Sequence, residues 1–170
     1  MRRRSYLAVM GAGLLTGCNA LGGKKFAKAE QPFSNVQNAS GLDKGDVGKS
    51  AHVELKKGRY ANFSFTAQEQ SKMDITGQVM ENGPIDIYVM TIDQFNQYQR
   101  KPNLIPSKME AEQVKSIDIS STIQPNDYLL VFDNTMLGGA KPSGKAVVEF
   151  EFVLSGTGSN GNGNTTTTQS

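Results

Sequence analysis

The chain has 170 residues, 20% of them charged, with one cysteine and no tryptophan. One cysteine cannot close an internal disulfide, and no run of about 18 apolar residues is present, so a disulfide-stapled mini-protein and a polytopic membrane protein are both excluded. The formal charge of +2 depends on Arg2, Arg3 and Arg4, because the other 15 basic residues face 16 acidic ones, a balance that offers nucleic acid no electrostatic footprint.

Arg2 to Arg4 form a basic start, followed by an apolar stretch from Tyr6 to Leu15 that Gly11 and Gly13 interrupt. The stretch is too short to span a bilayer and reads as the core of a signal peptide over residues 1–17. Leu15-Thr16-Gly17-Cys18 resembles a prokaryotic lipoprotein box. The resemblance implies that Leu15 and Gly17 direct processing, that the leader is cut before Cys18, and that Cys18 carries a diacylglycerol. Two acyl chains, at about 0.8 kcal/mol per buried methylene, hold a protein stably on a membrane where one does not. The implied location is a lipid-anchored one on the extracytoplasmic face or the cell surface. Arg3-Arg4-Ser5-Tyr6-Leu7 also resembles a twin-arginine export signal. Ordinary secretion, with the arginines supplying only positive charge, is the alternative.

Residues 18–50 are polar and punctuated by glycine, with lysines at 24, 25, 28, 44 and 49. They are expected to form a lipid-anchored linker, in which Phe33, Val36 and Leu42 are the residues available for a first docked strand. Residues 51–154 then alternate apolar and polar with a period of two, the signature of strands. Val53 and Leu55 precede a Lys57-Gly58 turn, and Ala61, Phe63 and Phe65 follow on one face. Met73 to Val79 and Ile85 to Val89 come next, with Glu81-Asn82-Gly83-Pro84 between them. A three-residue hairpin loop there would pair Val79 with Ile85, Gly77 with Ile87 and Ile75 with Val89, keeping one face apolar.

Thr91-Ile92-Asp93-Gln94 has the capping-box form and predicts one short helix carrying Phe95 and Tyr98. Pro102 and Pro106 forbid a long continuation, and a further helical turn is expected around Lys108 to Val114. Ile117 and Ile119 mark another strand. Tyr128 to Phe132 is apolar throughout, as expected of a strand covered on both sides. Ala146, Val148, Phe150, Phe152 and Leu154 face one way on a last strand, with Glu149 and Glu151 on the other face. Residues 155–170 contain no charged and no strongly apolar side chain and are expected to be a disordered tail. The fold class is therefore all-β, an antiparallel β-sandwich of about seven or eight strands with one short helix.

Tyr128-Leu129-Leu130-Val131-Phe132-Asp133-Asn134-Thr135, followed by Lys145-Ala146-Val147-Val148-Glu149-Phe150, resembles the end of a GOLD-type β-sandwich. Gly58-Arg59-Tyr60 and Pro84-Ile85-Asp86-Ile87-Tyr88-Val89 are similar to that family in order and spacing. The same stretches resemble the pre-peptidase C-terminal domains of secreted bacterial proteins. What the resemblance implies is a non-catalytic binding module without a cofactor. Asp133, Asn134 and Thr135 have two readings: Asx and Thr side chains that bond nearby backbone and end a strand, or, with Tyr88, an edge that binds a partner. Tyr88 and Met90 point away from the face of Ile87 and Val89, where they would either pack under the Phe95 helix or form an exposed interaction surface.

Chemistry-bearing groups are few. His52, the single histidine, reads as a surface residue at a strand edge, and one histidine makes a zinc site improbable. No Ser-His-Asp or Cys-His arrangement is indicated. Gly48-Lys49-Ser50 resembles the end of a phosphate-binding loop, but Asp43 stands where that motif needs glycine. No Asp-x-Asp-x-Asp calcium loop occurs. Asp74, Asp86, Asp118, Glu149 and Glu151 are placed on polar strand faces and are the candidates for a hydrolytic pair. Sequons stand at Asn38, Asn62 and Asn164. Two functions are therefore expected: a membrane-anchored extracytoplasmic module that binds a protein or glycan, or a small cell-envelope hydrolase using paired carboxylates. Acids within about 10 Å of each other in a concave pocket would favour the second.

Overall fold

A computed structural model describes residues 27–100 and 109–156. The residues of the expected leader, with Arg3, Arg4, Leu15 and Gly17, and the expected lipid-attachment residue Cys18 lie outside the described residues, as do Pro102, Pro106 and residues 157–170.

Among the described residues, ten strands and one helix follow in chain order. They are β1 (Ala27–Lys28), β2 (Phe33–Asn38), β3 (Val47–Leu55), β4 (Arg59–Ala67), β5 (Ser71–Glu81), β6 (Ile85–Thr91), α1 (Ile92–Arg100), β7 (Met109–Val114), β8 (Ser116–Ile123), β9 (Asn126–Asn134) and β10 (Ala146–Gly156). They form two five-stranded sheets, ordered β1-β4-β9-β6-β7 and β2-β3-β10-β5-β8. All pairings are antiparallel except the short parallel contact of β1 with β4. The protein is an all-β sandwich with one short helix.

The inner faces carry the apolar half of each alternation. On β10, Val148, Phe150, Phe152 and Leu154 are buried while the residues between them are partly open. Phe152 meets Phe65 of the opposite sheet with ring centroids 4.6 Å apart, and Phe150 meets Phe132 at 4.8 Å. Rings of this size contribute large buried area and specific ring geometry at once.

The first sheet is covered on both faces. Ile85, Ile87, Val89, Leu130 and Phe132 enter the sandwich core, while Tyr88, Met90 and Val131 lie on the other side under Phe95 and Tyr98 of α1. This accounts for the uninterrupted apolar run at the centre of β9. The helix starts where the capping box puts it: Thr91 N–H donates to Gln94 Oε1 at 2.8 Å and Gln94 N–H to Thr91 Oγ1 at 3.3 Å.

Four expectations need correction. β5 and β6 do not form a hairpin, because they lie in different sheets. β5 pairs with β10 and β8, and β6 with β9 and β7. Both strands turn the same residues toward one shared core, so alternation identified the faces but could not distinguish a paired strand from one packed opposite. The connection runs through Asn82 at φ +49° and a cis Gly83–Pro84 bond. The expected helical turn near Lys108 to Val114 is instead β7, paired with β6. The expected linker is part of the sandwich from Ala27 onward, through β1, β2 and the start of β3, and β2 is mostly exposed, which is why its sequence looked solvent-borne. Ser155 and Gly156 extend β10 rather than begin a tail.

Gly77 faces Phe150 across the β5–β10 pairing. A Cβ there would overlap the Glu149 carbonyl oxygen and crowd the Phe150 Cα at 2.9 Å. Both are backbone atoms of a central strand and cannot rotate away. Gly77→Ala should therefore destabilise the protein by about 1–3 kcal/mol, the usual range for overpacking, measured as the shift in urea midpoint. A midpoint equal to wild type would show that β5 and β10 do not approach this closely.

Candidate functional site: an open polar groove and a buried acid cluster

The residues expected to form a binding edge are brought together, but inside the protein. Tyr88, Asp133, Asn134 and Thr135 are all fully buried, and so is Asp86, expected on a polar strand face. The edge reading of these residues is thus corrected: none of the four offers a surface to a partner. Asp86 and Asp133 are direct cross-strand neighbours on the outer face of the first sheet. The loop after β9 closes over them so tightly that a Cβ at Gly138 would overlap the Asp86 Oδ2 and Tyr88 hydroxyl.

Each carboxylate holds a piece of chain in place. Asp86 Oδ1 accepts from Gln113 N–H and Oδ2 from Ala140 N–H, both at 2.8 Å, tying β7 and the covering loop to β6. Asp133 Oδ1 accepts from Thr135 N–H at 2.7 Å, and Oδ2 accepts from the Tyr98 hydroxyl of α1. Thr135 Oγ1 accepts from Leu137 N–H at 3.1 Å. Asn134 Nδ2 donates to the carbonyls of Leu55 and Gly144, at 3.0 and 2.9 Å. The strand-ending role of this tripeptide is therefore its observed one. Tyr88 donates to Glu112 Oε1 at 3.1 Å.

Burial raises both carboxyls above the usual carboxylate range. For Asp86 two backbone donors oppose the rise and neighbouring Asp133 and Glu112 add to it. For Asp133 the bonds from Tyr98 and Thr135 oppose it. Burial likewise pushes the Tyr88 and Tyr98 hydroxyls up, with the nearby acids adding to the effect.

The accessible candidate lies on the outer face of the second sheet. There a groove of about 560 Å³ runs across β2, β3, β10 and β5. Strand pairing lines up its floor in two rows. Gln37, Ser50, Glu151 and Thr76 make one row, and His52, Glu149 and Gln78 the next. His52 Nε2 lies 3.1 Å from Glu149 Oε1, with both side chains about two-fifths exposed. Asn35 closes the β2 side. The lining is rich in amides, hydroxyls and carboxylates, which together donate and accept hydrogen bonds in closely spaced rows.

The remaining predicted groups are dispersed. Asp74 pairs with Lys72 at 2.9 Å and accepts from Ser120 at 2.6 Å; burial pushes its carboxyl up, but these bonds outweigh it and hold it below the usual range. Asp118 is exposed on β8. Gly48-Lys49-Ser50 lies within β3, not in a loop. Among the described residues no group of three or more His, Cys, Asp or Glu is placed to hold a metal ion, and no helix is long and apolar enough to cross a membrane. Sequence reading singled out His52, Glu149 and Glu151, named Ser50 only in the phosphate-loop resemblance it set aside, and missed Asn35, Gln37, Thr76 and Gln78. Their outward positions follow from alternation, but their meeting depends on β10 lying between β3 and β5.

No known protein-family model matches this chain, and no curated protein matches it.

Asp86 and Asp133 make stability depend on pH with a definite sign. A carboxyl raised in the folded state binds its proton more tightly there than in the unfolded chain. Its contribution is complete below the unfolded value of about 3.8 and is lost as pH rises through the raised folded value. The urea midpoint should therefore gain from these two groups on acidification from pH 7 to pH 5. Asp133→Asn, which keeps the Thr135 bond and removes a buried charge, should flatten that dependence. An unchanged slope in the variant would mean that Asp133 does not take up the proton.

Proposed function

We propose that this protein is an extracytoplasmic lipoprotein whose β-sandwich binds a hydroxyl-rich glycan of the cell envelope in the groove across β3, β10 and β5. In this reading Cys18 bears the diacylglycerol after a twin-arginine-type leader is removed before it. The domain then faces outward as a non-catalytic binding module of GOLD-like or pre-peptidase C-terminal-like kind. The carrying observation is the groove itself, with its rows of amide and hydroxyl side chains on the middle strands of a sheet. Sugar hydroxyls both donate and accept, and such rows answer them without a metal or a cofactor. A protein partner would more often meet aromatic anchors, and the one Phe or Tyr among the groove residues, Phe150, turns its ring into the core.

A second reading rests on Glu149 and Glu151. They stand two residues apart on one strand face, about 7 Å along the strand, close enough in principle for a hydrolytic pair. Such chemistry needs one acid kept protonated by desolvation. Glu149 is instead paired with His52 and two-fifths exposed, which favours binding.

The test uses the full chain with fragments of envelope glycan, followed by calorimetry. Gln78→Ala combined with Ser50→Ala removes two hydrogen-bonding groups from the floor and should weaken binding about tenfold or more. Unaltered affinity would remove the groove from the account. Release of shortened glycan by wild type, abolished in Glu149→Gln, would instead establish the hydrolase reading. Cys18→Ser should shift the protein from the membrane to the soluble fraction; a variant that stays on the membrane would refute the lipid anchor.

A further inference from the structure

The outermost strands of a sheet carry unpaired backbone donors and acceptors, and proteins blunt such edges with brevity, bulges, charge or proline. Three of the four edges here are blunted. Among the described residues β1 spans only Ala27–Lys28. β2 breaks register between Ser34 and Gln37, with Asn35 at φ +52°. β7 breaks register opposite Ile85 to Ile87, has Gln113 at φ +54°, and carries Glu110 and Glu112.

β8 is different. It pairs with β5 through eight consecutive residues with no break in register. It contains no proline, no lysine and one charged residue, Asp118. Its outward residues Ser116, Asp118, Ser120 and Thr122 are exposed, while Ile117 and Ile123 are buried. Among the described residues no strand pairs with its other side.

We propose that β8 is a self-association edge, where a second copy of this chain adds its own β8 antiparallel to form a continuous ten-stranded sheet. The pattern of β8 selects the register. Directly opposed residues in an antiparallel pair share a face, so a two-fold axis must pass through a residue. An axis at Ser120 opposes Ile117 to Ile123, Ile119 to Ser121 and Asp118 to Thr122. This extends the apolar inner face across the junction, and it sets each Asp118 against a hydroxyl instead of its own copy. Like charges directly opposite would destabilise the pair. The contact is isologous and closes at two subunits. A strand edge buries little area, so the dimer is weak and depends on concentration.

The same register is its test. Two Ser120 Cα atoms at the axis are about 4.5–5.5 Å apart, within disulfide range, while two Asp118 Cα atoms are offset by four residues, about 14 Å. In the full-length chain Ser120→Cys should give a covalent dimer on mild oxidation. Asp118→Cys and the wild type, which control for strand exposure and for Cys18, should not. Ser120→Lys, an exposed change that sets two ammonium groups at the axis, should make the chain monomeric by sedimentation at concentrations where the wild type dimerises. Retained circular dichroism and urea midpoint would show that Ser120→Lys still folds. A wild type that is monomeric throughout, or a dimer that persists in Ser120→Lys, would overturn the proposal. So would a chain that dimerises only after removal of residues 157–170, since its own tail would then occupy the edge.

Discussion

The structure depends on how β10 divides its two faces. It is the central strand of the second sheet, paired along its length with β3 on one side and β5 on the other. Phe150 and Phe152 lock the two sheets together from its inner face, through Phe132 and Phe65. Glu149 and Glu151 form the floor of the groove from its outer face. A shift of one residue in this strand would exchange phenylalanine for glutamate in the core, so core packing and groove chemistry are fixed by the same register.

The other sheet solves a different problem. Its central strands are buried on both faces, which leaves Asp86 and Asp133 without solvent. They are satisfied by backbone donors from β7 and the covering loop, and by a tyrosine from α1. Buried carboxylates bonded in this way are costly when left unpaired and specify one arrangement when paired. They join helix, edge strand and loop to the sheet, and they explain why a polar tripeptide that looked like a binding edge is interior. The open polar groove lies on the opposite face of the molecule, on the outer side of the second sheet.

Much of the architecture was legible in the sequence. Period-two alternation located β3 to β6, β8 and β10, the continuous apolar run from Tyr128 to Phe132 located β9, and the capping box located the start of α1. Pairing was less legible. Val79 and Ile85 face one core from opposite sheets, and their alternation is the same as that of a hairpin. β7 has too few apolar residues to show its period, and β2 is exposed at five of six positions, so its pattern resembles that of a linker. The groove was visible only in part. Glu149 and Glu151 stood out as charges on a strong strand, whereas Gln37, Ser50 and Gln78 became neighbours only through long-range pairing. The burial of Asp86 was hidden because the loop that covers it carries little apolar sequence.

The most direct measurement is chemical-shift mapping of the isotope-labelled chain during titration with envelope glycan fragments. If the groove binds glycan, shifts concentrate at Ser50, His52, Thr76, Gln78, Glu149 and Glu151, with the α1 side of the molecule unaffected. Saturable shifts confined to α1 or the first sheet, or none across the fragment series, would contradict glycan binding there.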